Sequence, residues 1–306
     1  MPVSSETAPD PSGSPARWRF EAIGTAWSID TPSPLSAALQ GDIADRIEGF
    51  DRDWSRFRPD SLVSRMAREP GRYHLPGEAG PLLALYRILF EATAGRVSPL
   101  VGHALEDLGY DAGYRLTPAQ RIRPTPSWDD ALAWDGEQLT LLRPALLDVG
   151  AAGKGLLVDL LSRMLHDAGE HEHVVDGSGD LVRAALQDAA PERIALEHPA
   201  DPTTAVGVIE LGSGAIAASA ANRRAWAGVH HIIDALTGLP TRQVTATWAV
   251  VPATAEYPAM TADGLATGLF FAAPDAFAAA GPFAWATITS GGRIAHSPDL
   301  PGEVFA

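Results

Sequence analysis

The strongest constraint on this fold is the combination of two hydrophobic periods along the chain. Leu35, Leu39, Ile43, Ile47, Phe50 and Trp54 recur every three to four residues, which predicts a long amphipathic helix. Leu156, Leu157, Leu160, Leu161, Met164 and Leu165 form a second helical stripe, stopped at Gly169 where a left-handed residue commonly ends a helix. Further helical stretches are expected over 81–94, ending at Gly95, over 259–273, and in a short piece from Ser61. The strand-like runs are short and separated by turns: one strand over 17–30, then 173–175, 193–197, 206–211 and 244–251. Near the end, Gly291-Gly292 between two β-patterned runs predicts a hairpin with a two-residue loop. There is no internal repeat and no heptad pattern. The expected class is α/β in the broad sense, more narrowly α+β, with antiparallel hairpins and packed helices.

At 306 residues the chain can bury a large core in one domain or two modest ones. Residues 1–16 are rich in Pro, Ser, Thr and Glu and are expected to form a disordered tail. Residues 17–306 are expected to form the folded domain, with a division into two subdomains near 147 and a loop-rich insertion over 111–146. The net charge of −15 argues against nucleic acid and against an anionic membrane surface, both of which want clustered Lys and Arg. Such an acidic protein needs a local cation to hold a phosphate group. Cysteine is absent, which removes disulfides, thiolate nucleophiles and Cys-ligated metals. The first residues lack the pattern of a secretory signal, and no run approaches the ~20 apolar residues of a membrane span, so a cytoplasmic location is expected.

Three segments carry chemistry. In Asp148-Val-Gly-Ala-Ala-Gly-Lys-Gly155 the first glycine and the final hydroxyl of a Walker A loop are missing, which rejects an NTPase. Gly177-Ser-Gly179 fails the dinucleotide fingerprint, because Val182 holds its third glycine slot. The first loop can still bind an anion, since a helix N-terminus follows it and Lys154 adds charge. Alternatively it is a packed turn whose lysine faces water. Asp263 and Thr267, four apart, share a helix face and would offer two hard oxygens to Mg²⁺. Their plainer reading is a carboxylate facing the helix dipole and a threonine bonded to backbone. His230-His231-Ile-Ile-Asp234 reads as a strand running into a turn, in which alternation would point His230 and His231 to opposite faces. His171-Glu-His173 has no third ligand in view and is assigned to solvent.

Taken in order, these segments resemble the FAD:protein FMN transferase (ApbE) family from Ile23 to about Phe271. Ile23-Gly-Thr25 is similar to its Met-Gly-Thr, and Asp53-Trp-Ser-Arg-Phe57 with Asp60-Ser61 to its Ser-x-Tyr and Asp-Ser. The loop 148–155 with Asp159 resembles its Asp-Leu-Gly-x-x-Ala-Lys-Gly-x-x-x-Asp. The segment 175–180 resembles its Asn-x-Gly-Gly-Asp/Glu, and 231–240 its His-Ile-Ile-Asp-Pro-x-Thr-Gly-x-Pro. Ala262-Asp263-Gly-Leu-Ala-Thr267 is similar to its Ala-Asp-Ala-Leu-Ala-Thr.

The resemblance implies a T-fold-like core and a magnesium-dependent enzyme that splits FAD, releases AMP and attaches FMN to a Thr or Ser of another protein. Magnesium would be held by Asp263, Thr267 and the backbone carbonyl of Ala151. FAD would meet Ile23, Phe57, Arg96, Val97, Ser98, Asp148, Lys154 and Ile232. Lys154 would neutralise charge on the pyrophosphate, and His231 is the candidate base for the acceptor hydroxyl. An FAD pyrophosphatase and a non-catalytic FAD-binding protein stay open as alternatives. The partner would carry an Asp-Gly-x-Thr-Ser/Thr-like segment. The chain departs from the family at Ile23 for Met, Phe57 for Tyr, Arg96-Val97-Ser98 for Ala-Phe-Asp, Asp176 for Asn and Ala235 for Pro. None of these touches the implied metal ligands.

Overall fold

A computed structural model describes residues 15–305. The expected tail lies outside these residues except for its last two, and Ala16 already opens the first strand. An eight-stranded sheet organises the chain, every neighbour antiparallel. In spatial order its strands are Ala16–Ala22, Thr25–Thr31, His173–Asp176, Asp180–Ala184, Gly214–Ala220, Val244–Pro252, Ala284–Thr289 and Ile294–His296.

The first of these corrects the expectation of one strand over 17–30. The chain reverses after Ala22, and pairing runs from Ala16↔Thr31 to Ala22↔Thr25. Only Ile23 and Gly24 remain in the loop, with φ of 44° and 78°. A loop with both central residues left-handed matches the right-handed twist of the strands, but it usually recruits Asn-Gly or Gly-Gly. A β-branched residue there is strained, so Ile-Gly gave no turn signal. The last hairpin also differs: Thr289 bonds Arg293, so the loop is Ser290-Gly291-Gly292, with Gly292 left-handed at φ 78°. Two central strands, Asp180–Ala184 and Gly214–Ala220, were not anticipated.

The strand Val244–Pro252 is buried on both faces from Ala246 to Val251, with Thr245 and Thr247 interrupting an otherwise apolar sequence. Its Ala249 and Val251 face the main core, while Ala246, Trp248 and Val250 face a second cluster. The main core lies under the helices Ala37–Trp54, Ala79–Ala92, Gly153–Asp167 and Pro258–Gly268, and draws on residues from Trp18 to Phe277. The second cluster is covered by a three-stranded sheet of Glu192–His198, Asp201–Leu211 and Gly302–Val304. The segment 111–127 has no regular elements until the short helix Trp128–Ala131, in keeping with its prolines.

Two contacts lock the central helices together. A Cβ on Gly155 would sit 2.2 Å from the carbonyl oxygen of Ala259, so only glycine allows this approach. One turn on, the buried Asp159 carboxylate accepts from the Ala259 and Met260 amides at 3.0 and 2.8 Å, capping the helix Pro258–Gly268. Burial pushes Asp159 up to about 7 against those two bonds. The His171–His173 pair splits: His171 is exposed, but His173 is buried in the core, contrary to expectation. Its Nδ1 donates to the Glu170 carbonyl and its Nε2 accepts from Ser162, each at 2.7 Å.

Candidate active site

The helices Gly153–Asp167 and Pro258–Gly268 meet the sheet at the floor of a cleft of about 980 Å³, near the upper end for small-molecule sites. All twelve residues proposed from sequence line it: Ile23, Phe57, Arg96, Val97, Ser98, Asp148, Ala151, Lys154, His231, Ile232, Asp263 and Thr267.

The glycine loop shapes one wall. Asp148 Oδ1 accepts from Gly150 at 2.8 Å, and the Ala151 amide donates to the Tyr86 hydroxyl at 3.1 Å. Lys154 follows in the first turn of its helix, but it does not face water. Its Nζ lies 2.5 Å from Oδ2 of Asp180, which is 1% exposed. The approach is an ion pair by distance, although neither Asp180 oxygen has a hydrogen-bond partner. Beside it, Asp263 Oδ2 accepts from the Gly155 amide at 2.9 Å. Burial and then the charge of Asp180 hold Asp263 well above the usual carboxylate range, while burial pushes Asp180 up against the pull of Lys154. Thr267 presents its hydroxyl one turn on, 3.4 Å from Ser219 Oγ.

The sequence motif gives Asp180 no role of its own; its closeness to Lys154 comes from the strand it begins. Among the described residues no three His, Cys, Asp or Glu side chains converge as a metal cage. Magnesium does not require one, because it takes one or two carboxylates and leaves other positions to water and phosphate. A buried Asp180 carboxylate whose Oδ1 has no partner, beside a second carboxylate and a hydroxyl, fits that donor set.

The aromatic part of the cleft was largely invisible in the sequence. Phe57 stacks on Tyr114 at 5.5 Å and 5° and meets Tyr110 edge-on at 5.3 Å; Tyr110 in turn stacks on Trp226 at 5.3 Å. Arg56 is buried beneath them, paired with Asp148, bonded to the Tyr110 carbonyl at 2.6 Å, and 4.2 Å from the Phe57 ring centroid. It ties together three wall segments far apart in sequence. Val97 and Ser98 are both buried, and Ser98 Oγ accepts from Leu100, capping a short turn. Serine in place of the family's aspartate therefore keeps a capping oxygen. Arg96 is half exposed, 3.8 Å from Asp234, and its carbonyl accepts from Ala235 at 2.9 Å.

His231 departs from the strand reading. It sits in a bend between the short pairings Ala225↔His230 and Asp234↔Leu239. Burial, then Arg224 and His230, push its imidazole down to about 3. It is thus neutral at physiological pH and a weak base. Its Nδ1 is buried without a hydrogen-bond partner. His230 is not idle: Nε2 donates to the Thr241 carbonyl at 2.8 Å and Nδ1 accepts the Ile232 amide at 3.2 Å. It shapes the bend that carries His231 and the buried Ile232.

The chain matches the family described as the ApbE family over residues 23–281. It belongs to that family. Membership makes it a transferase in class. Among similar proteins, the FAD:protein FMN transferase of Vibrio cholerae serotype O1 is 29% identical over 76% of this chain and 73% of its own length. That of Rhodobacter capsulatus is 28% identical over 98% of this chain, which spans 60% of that relative's length. The fold agrees with solved ApbE structures. The flavin transferase from Vibrio cholerae gives a TM-score of 0.72 at 22% identity with 97% of each chain covered. The Thermotoga maritima protein gives 0.75 at 21%, covering 96% of this chain and 97% of its own. The mixed fold of helices and antiparallel sheets is the one these structures share.

Proposed function

We propose that this chain is an FAD:protein FMN transferase that depends on magnesium, moves FMN onto a Thr or Ser of another protein and releases AMP. The observation that carries the reading is one cleft holding a lysine, a buried acid pair and an aromatic cluster. This combination suits a pyrophosphate joined to two flat ring systems. Asp263, Thr267 and the Ala151 carbonyl would hold magnesium beside Asp180. When bound, magnesium supplies charge neutralisation on the pyrophosphate oxygens. Phe57, Tyr110, Tyr114 and Trp226 offer stacking faces, and Ile23, Val97 and Ile232 offer apolar contact.

In the proposed step the acceptor hydroxyl oxygen bonds to the FMN phosphorus, and the bond from that phosphorus to the bridging oxygen breaks. AMP leaves with the bridging oxygen. The hydroxyl proton passes to His231, whose basicity rises once an anion offsets Arg224. Lys154 stays beside the pyrophosphate, where fixed positive charge lowers the barrier as negative charge shifts to the leaving oxygen.

Incubation with FAD, Mg²⁺ and a polypeptide carrying an Asp-Gly-x-Thr-Ser/Thr-like segment tests the reading. AMP formed only with the acceptor, together with a flavin-bearing acceptor, is the expected result. AMP with free FMN would instead mean hydrolysis, and no AMP would mean binding alone. No helix among the described residues is long and apolar enough to cross a membrane.

A further inference from the structure

We propose that Arg224 is the residue that grips the transferred phosphoryl group, an inference that rests on the cleft being a flavin-pyrophosphate site. The first argument is charge balance. Lys154 is neutralised by Asp180, Arg56 by Asp148, Arg223 by Glu197 at 2.8 Å, and Arg58 by three carboxylates. Arg96 lies 3.8 Å from Asp234. Among the described residues, Arg224 is the cleft arginine with neither a carboxylate within 4.0 Å nor a side-chain hydrogen bond, although it is only partly exposed. A guanidinium half withdrawn from water, with all five donors free, is an incomplete arrangement that a phosphate completes in bidentate fashion.

The second argument is position. The Arg224 carbonyl accepts the His231 amide at 3.2 Å, next to the Ala225↔His230 pair. The backbone therefore fixes Arg224 beside the residue nearest the attacking hydroxyl in the proposed step. Arg224 lines the same cleft as His231 and Tyr110 and is only partly exposed. A phosphoryl group held there would meet the Arg224 guanidinium on the side of the attacking oxygen. The same anion would offset the part of the downward push on His231 that comes from Arg224, while the larger push from burial would remain.

The test compares Arg224→Met and Arg224→Lys with the wild type in magnesium buffer, by calorimetry, using FAD, inorganic pyrophosphate and riboflavin as probes. The expected result is that Arg224→Met weakens FAD and pyrophosphate at least ten-fold, with riboflavin unchanged because it carries no phosphate. Lysine should recover part of the loss by restoring charge without the planar fork. Unchanged FAD and pyrophosphate affinity would overturn the assignment, and so would an equal loss for riboflavin, which would mark a structural role. Wild-type binding of pyrophosphate but not FAD would sink the flavin reading and leave the anion site standing. If the methionine variant does not fold, Arg224→Gln serves in its place.

Discussion

Lys154→Met is the most informative substitution, because the structure changes what it should do. For a lysine that served only to hold FAD the expectation would be weaker FAD binding alone, and for one facing water no change. Among the described residues the Lys154 charge is the sole counter-ion within 4.0 Å of Asp180, which is 1% exposed. Removing one partner of a buried pair typically costs about 3–5 kcal/mol, because a desolvated charge is left behind. Lys154 keeps 18% of its own exposure, which places the expected cost near ~3 kcal/mol. At the ~2 °C per kcal/mol suited to a long chain, the melting temperature should fall by about 6 °C. The sign with pH follows from Asp180, whose folded-state pKa is already raised by burial and loses its main opposing influence with the lysine. A carboxyl with a raised folded pKa costs stability as pH rises above its unfolded value of about 3.9. The deficit should therefore be widest at pH 7–8 and shrink toward pH 4. Thermal melts in chelator without FAD provide the assay, and Lys154→Met/Asp180→Asn should recover most of the loss. A single variant melting within a degree of wild type at pH 7.5, or a deficit indifferent to pH, would refute the buried pair.

Asp263→Ala should abolish metal-dependent turnover. Mg²⁺ at a hundred times its dissociation constant should stabilise the wild type by about 2.7 kcal/mol, and a variant still stabilised would exclude Asp263 as a ligand. His231→Ala should slow transfer by roughly 10²–10⁴-fold with little change in FAD affinity, so equal losses in rate and affinity would point to packing rather than proton transfer. His230→Ala should instead lower the melting temperature, at about 1 kcal/mol for each of its two hydrogen bonds. Ile23→Gly should raise the melting temperature by relieving about 1–3 kcal/mol of left-handed strain while weakening FAD binding; a lower melting temperature would mean the strain is absent.

What the sequence made legible was chemistry held in short contiguous motifs. Asp263 and Thr267 share a face because a helix has a fixed period, and Lys154 stands at a helix start because glycines precede it. What it hid depends on pairing between distant segments. Tyr110 and Tyr114 lie in a stretch with no period, and only the fold brings them onto Phe57 and Trp226. Asp180 gains importance from a four-residue register between neighbouring strands, which no local pattern encodes. The His230–His231 pair misled for a different reason: alternation holds only while a strand continues, and this one bends at His231.

The cleft is enclosed by contributions spread from Ile23 in the first hairpin to Phe271 just past the helix Pro258–Gly268. A molecule filling it would work as a strut between parts of the chain that share few bonds of their own. Its arrival should then register as slower amide exchange in the first hairpin, the 110–116 segment and the 222–233 segment together, including places several residues removed from any contact. By the same logic, cutting the chain between those segments would leave two fragments, each with an incomplete wall and neither able to hold the ligand.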